Sequence, residues 1–138
     1  MDVQVNVWGV LAAAASSMVV GSIWYAQAVF GKTWMRLAKV KTDGRGSMVL
    51  PLALTFIASL LTAYVIAHVA YLSNQFFDHS FLQDAVVTSL WLWLGLTAAR
   101  FLTHDLFEGR PTKLTLLNVG NEFVTIVLMG VVIGLIGV

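Results

Sequence analysis

The chain has 138 residues, about one domain's worth, and 59% of them are hydrophobic while only 11% are charged, a balance far from that of soluble domains. A formal net charge of +1 gives no basis for a nucleic-acid surface, and the absence of cysteine excludes a disulfide framework, thiolate metal sites and a cysteine nucleophile. The composition selects an integral membrane protein, and the positions of its few charges set how often it crosses.

No charge falls between Asp2 and Lys32, so a first span is expected over residues 7–29, more than the roughly 20 a helix needs to cross. Asp2 stands where a secretory signal would carry Lys or Arg, so the Ala- and Ser-rich residues 12–17 read as mature structure. Gly9, Ala13, Ser17 and Gly21 recur every four residues and make a helix face with almost no bulk. In lipid such a face lets a second backbone approach closely. Ser59, Ala63 and Ala67 repeat the pattern in the second span, as do Gly130 and Gly134 in the last. The economical reading makes these the internal seams of a bundle; the alternative is a seam between protomers. Trp8, Trp24 and Trp34 lie near the span ends, where aromatic belts form.

In the first loop Phe30, Trp34 and Leu37 fall on one side of a helical wheel and Lys32, Arg36 and Lys39 toward another. That pattern fits an interfacial helix, or a continuation of the first helix through a basic belt. Residues 42–47 are a turn by composition, and Pro51 suits the first turn of a second helix, expected over 49–72. His68, four residues after Tyr64, has the chemistry to ligate haem or chlorophyll, but a lone intramembrane histidine is better explained by a hydrogen bond to a neighbouring helix or the interface. No cofactor is assigned on this basis.

The third span is expected over 81–102. Its uncharged core, residues 85–99, is short, so Asp84 and Arg100 should sit at the interfaces, Arg100 extending its alkyl stem toward headgroups. Trp91 and Trp93 lie well inside it and read as packing rather than a pigment or quinone platform. His104, Asp105 and Glu108 follow beside Arg100, Arg110 and Lys113. They read as an interfacial charge cluster, and no metal is assigned. Gly109-Arg110-Pro111 breaks the chain before a last span over 114–137.

Within that span Glu122 is the only charge, about 13 Å along the helix from Lys113 and so near the middle of a hydrocarbon core about 30 Å thick. A carboxylate is expensive there and should face inward. Asn118 and Thr125 share its stripe, Asn121 stands on an adjacent face, and Arg100 is the one plausible basic partner within a span. Glu122 reads either as a neutral or paired carboxyl that holds the bundle together or as a protonatable or cation-binding group. No serine–histidine–acid arrangement, phosphate loop or nucleotide fingerprint is present.

All eight Lys and Arg residues lie in the first and third loops or beside them. The positive-inside rule therefore puts those loops in the cytoplasm and both termini outside. The expected architecture is all-α: an integral membrane four-helix bundle with short loops, one domain over 1–138. The expected role is non-enzymatic, as a self-associating protein or an accessory subunit of a larger membrane complex. Transport of protons or cations through Glu122 is the second reading, and pigment or haem binding at His68 the third. Lipids are its surroundings, and nucleic acid is not an expected partner.

Two segments carry a family likeness: Gly21-Ser22-Ile23-Trp24-Tyr25 with Phe30-Gly31-Lys32-Thr33-Trp34-Met35, and Leu106-Phe107-Glu108-Gly109-Arg110-Pro111 followed by Leu114. With Asn118, Gly120 and Met129-Gly130, the chain resembles the small membrane proteins grouped as domain of unknown function 1761 along essentially its whole length. The resemblance implies a four-span bacterial or fungal protein, here of a bacterial inner membrane, of no established activity. Members often carry a Tyr-His pair where this chain has Asn121-Glu122, so the resemblance assigns Glu122 no role.

The topology is testable because the chain has no native cysteine. Cysteines introduced at Ser47 and Asn74 should react with a membrane-impermeant thiol reagent from opposite sides of the membrane; labelling of both from one side of intact cells would overturn the assignment.

Overall fold

A computed structural model describes residues 2–40 and 46–138; residues 42–45 of the turn expected at 42–47, and Lys41 before it, lie outside the described residues. Five helices carry the fold: α1 (Val7–Trp24), the short α2 (Lys32–Leu37), α3 (Val49–Asn74), α4 (Phe81–Phe107) and α5 (Thr112–Ile136). All but α2 are long and apolar enough to cross a membrane. Helices are the natural solution there, because each backbone amide is satisfied within its own segment.

The ends are set locally. Asn6 accepts from the Trp8 and Gly9 amides to start α1, and Ser80 accepts from the Gln83 amide to start α4. Pro111, whose φ of −59° is already helical, leads into α5. Gly109 takes a φ of +65°, and Arg110 N donates back to the Asp105 carbonyl at 2.9 Å, closing α4 as a left-handed glycine cap does.

The first span is shorter than residues 7–29. Extended backbone at Ala26 (ψ 144°) ends α1 at Trp24, and a π-helical turn, Gln27–Gly31, leads into α2. The basic segment is therefore a separate helix rather than a continuation of the first. Lys32, Arg36 and Lys39 are exposed, while Trp34 and Leu37 are half-buried.

Packing follows chain order around the bundle, with α1 beside α3, α3 beside α4, α4 beside α5, and α5 closing against α1. α5 also touches α3 across the diagonal. The core joins Ala13 of α1, Ala63, Ile66 and Ala70 of α3, and Met129 and Ile133 of α5. Small residues set the spacing. A Cβ on Gly130 would run into Ser89 Oγ and lie 2.8 Å from the Ala85 carbonyl oxygen; one on Gly134 would lie 2.7 Å from the Leu82 backbone. Ala13 and Ser17 are buried, and the Ser17 and Ser59 hydroxyls meet at 2.8 Å between α1 and α3. These faces are seams within the bundle. Gly21 departs from the expectation: a Cβ there meets nothing within 4 Å, so the tight part of the α1 face runs from Gly9 to Ser17 and ends before Gly21.

Asp84, in the first turn of α4, is buried. It accepts from Asn74 Nδ2 at 2.7 Å and faces His79 Nδ1 at 3.4 Å, tying the α3–α4 connection together. Trp91 is 69% exposed and faces outward rather than packing. Trp93 packs inward, its ring 4.8 Å from that of Phe123 and its Nε1 donating to the Val119 carbonyl.

Replacing Gly130 with Ala should cost about 1–3 kcal/mol, because neither the Ala85 carbonyl nor the Ser89 Cβ can retreat without moving the α4 backbone. Gly21→Leu should leave the thermal midpoint in detergent close to that of the parent chain. A Gly130→Ala protein as stable as the parent would show that α4 and α5 are not in this contact.

Candidate functional site

Two polar constructions meet on α5. The first is an aromatic clasp at the end of the bundle that carries the first and third loops. Where α1 breaks, Tyr25 Oη and Trp34 Nε1 both donate to Asn118 Oδ1, at 3.2 and 3.1 Å. The Tyr25 and Trp34 rings meet edge to face at 5.3 Å, and Trp24 lies 4.7 Å from Phe30. Gly120 makes room for the Trp24 indole, since a Cβ there would stand 3.3 Å from it. Gly31 is required by the tight π-turn, where a Cβ would collide with the Tyr25 and Ala26 carbonyls. Trp24 and Trp34, expected near the span ends, are half-buried in this clasp, where they join the end of α1 and the first loop to α5.

The second construction is a cleft of about 460 Å³ between α4 and α5. Arg100, His104, Asp105, Glu108, Arg110 and Glu122 line it, together with Leu96, Thr97 and Phe101. Its outer rim is held by hydrogen bonds. Thr115 Oγ1 donates to Asp105 Oδ2 at 2.6 Å, and the Arg110 guanidinium stands 2.5 Å from Glu108 Oε2 and 3.7 Å from Asp105 Oδ1. Asp105 is buried while Glu108 and Arg110 are half-exposed. Inward, the cleft reaches Glu122, about 15 Å along α5 from Thr112 and hence near mid-span.

α4 widens beside it. Residues Trp93–Ala98 form a π-helical stretch inside the span, a distortion found mostly as a short insertion and frequently at functional sites. Thr97 and Leu96 on this stretch line the cleft. Sequence reasoning missed both, since neither residue type signals a π-turn. The run Trp93-Leu94-Gly95-Leu96-Thr97 has only its glycine as a hint.

The five residues singled out around mid-membrane, Glu122, Asn118, Asn121, Thr125 and Arg100, divide. Asn118 serves the clasp. Glu122 and Arg100 line the cleft without forming an ion pair; the ion pairs among the described residues are His79–Asp84, Arg110–Asp105 and Arg110–Glu108. Asn121 and Thr125 are buried inside the bundle, and their Oδ1 and Oγ1 atoms have no hydrogen-bond partner among the described residues. A carbonyl and a hydroxyl in such a setting carry a desolvation cost. His68 Nδ1 is likewise unpartnered, with the ring 5.8 Å from that of Tyr64. His104 and Glu108 share the cleft.

The family model described as "Protein of unknown function (DUF1761)" matches residues 8–134, and the chain belongs to that family. No curated protein and no solved structure matches it. The two segments that carried the likeness are now accounted for in space. Trp24, Tyr25, Phe30, Gly31 and Trp34 build the clasp on Asn118 and Gly120, while Phe107-Glu108-Gly109-Arg110-Pro111 turns the chain at the rim of the cleft.

Asn118→Leu should destabilise the protein by about 1–3 kcal/mol, because it strands the Tyr25 and Trp34 donors, whereas Asn118→Asp keeps an acceptor and should lie closer to the parent chain. Thermal unfolding in detergent separates the two; equal stability of Asn118→Leu and parent would show that the clasp contributes nothing.

Proposed function

We propose, starting from membership in a family without an assigned role, that this four-span protein is a non-enzymatic binder of small cationic or protonatable polar groups. Its working part is the cleft that runs from the Arg110 rim to Glu122, and it passes such groups toward mid-membrane. The observation that carries the reading is the position of Glu122. The one carboxylate of α5 is not sealed among helices but lines a space continuous with the charged rim. A mid-membrane carboxylate is tolerated where it faces a cavity, and such residues mark ion and substrate paths.

This reading places the rim in the cytoplasm, following the one-sided Lys and Arg residues. It ranks transport above self-association for a structural reason. Gly130, Gly134, Ala13 and Ser17 are occupied within one chain, so most of the small-residue seam is spent inside the bundle. The accessory-subunit reading keeps one observation of its own. The half of α3 nearest the first loop exposes Val49, Leu50, Leu52, Leu54 and Ile57, a face open to lipid or to another membrane subunit.

Glu122→Gln should remain folded, since the amide keeps shape and hydrogen-bonding capacity, yet it should abolish pH-dependent cation flux into proteoliposomes because an amide exchanges no proton at physiological pH. Parent protein without such flux would refute the transport reading, and flux unchanged in Glu122→Gln would remove Glu122 from the path.

A further inference from the structure

A second, apolar groove adjoins the cleft. It measures about 260 Å³, lies between α3 and α4, and is lined by Leu61, Val65, Ile66, Leu92 and, from α5, Ile126. Leu61 is 65% exposed and Val65 46%, so the groove opens sideways, where lipid surrounds the bundle. Leu96 and Thr97 line both spaces. The apolar groove and the charged cleft therefore border the same two residues of the π-helical stretch of α4, Trp93–Ala98. One molecule can occupy both only if it has a polar head and a hydrocarbon chain.

The charges in the cleft narrow the head. Arg110 is engaged by Asp105 and Glu108. Of the Asp, Glu and Arg side chains lining the cleft, Arg100 and Glu122 are the two in no ion pair among the described residues. A head that matches them carries both signs: an ammonium for Glu122 and an anionic group, phosphate or carboxylate, for Arg100. An arginine guanidinium suits such an oxyanion through its forked donors.

We infer that the substrate class of this cleft is a zwitterionic amphiphile, with its ammonium and acidic groups held between Glu122 and Arg100 and its acyl chain lying in the Leu61–Ile126 groove. The inference rests on the reading of the cleft as a binding site and goes further by fixing what enters it. It also explains the lateral opening between α3 and α4, which a soluble ion entering from the rim would not need.

The test uses the full chain, with retained molecules counted by native mass spectrometry and soluble phosphoethanolamine titrated separately. Dioleoylphosphatidylethanolamine should be retained about tenfold more than dioleoylphosphatidylglycerol. Arg100→Gln and Glu122→Gln should each erase that preference. Val65→Trp and, independently, Leu61→Trp place an indole in the groove from exposed positions. They should lose the phospholipid while keeping the binding of phosphoethanolamine. Equal retention of the two lipids, indifferent to Val65→Trp and Leu61→Trp, would mean surrounding lipid only and would overturn the inference. If phosphoethanolamine then still bound in a Glu122-dependent way, the cleft reading would stand without the amphiphile. If neither probe responded to Glu122→Gln, both would fall.

Discussion

A helix that crosses hydrocarbon cannot present polar side chains to lipid, and α5 carries Thr115, Asn118, Asn121, Glu122 and Thr125 along its length. Turning that stripe inward governs the rest of the molecule. Neighbouring elements must meet α5 with partners or with space. The first-loop segment supplies Tyr25 and Trp34 to Asn118, and α4 supplies Asp105 to Thr115. At Glu122 there is a cleft instead. The apolar remainder of the inward face, Ile126, Met129 and Ile133, packs into the core.

The close contacts then follow from the other half of α5. Nothing in lipid drives helices together as water does for a soluble core, so approach depends on dispersion between well-fitted surfaces. Gly130 and Gly134 let α4 come within contact of the α5 backbone through Ala85, Ser89 and Leu82. Toward the opposite end α4 carries its π-helical stretch, and the space beside Glu122 opens there. The same helix pair is thus tight at one end, parted beside Glu122 and tied again at the rim by Thr115 and Asp105. That arrangement gives the bundle a firm seam without filling the cleft.

The four spans were legible because charges in this chain are sparse and sit at segment ends. The inward orientation of Glu122 was also legible, from the energetic penalty alone. What escaped was long-range. A four-residue spacing marks a small-residue face but not how far a neighbour follows it, so Gly21 was grouped with Gly9 although nothing packs on it. Trp24 and Trp34 carry the composition of an interfacial belt, which does not show that Trp24 lies over Gly120 or that the chain beyond the break at Ala26 brings Trp34 onto Asn118. Leu96 and Thr97 gave no signal because a π-turn has no strong residue code and the groove that they join is made by another helix.

The central claim is that polar access reaches mid-span beside Glu122, and single cysteines in this cysteine-free chain measure it most directly. Thr97→Cys lines the cleft, whereas Phe123→Cys stands next to Glu122 on the exposed outer surface of α5. A charged, membrane-impermeant thiol reagent applied from the side of the Arg110 rim should modify Thr97→Cys and leave Phe123→Cys untouched. Failure to modify Thr97→Cys, with Phe123→Cys equally inert, would contradict the account, because the space beside Glu122 would then be closed to water.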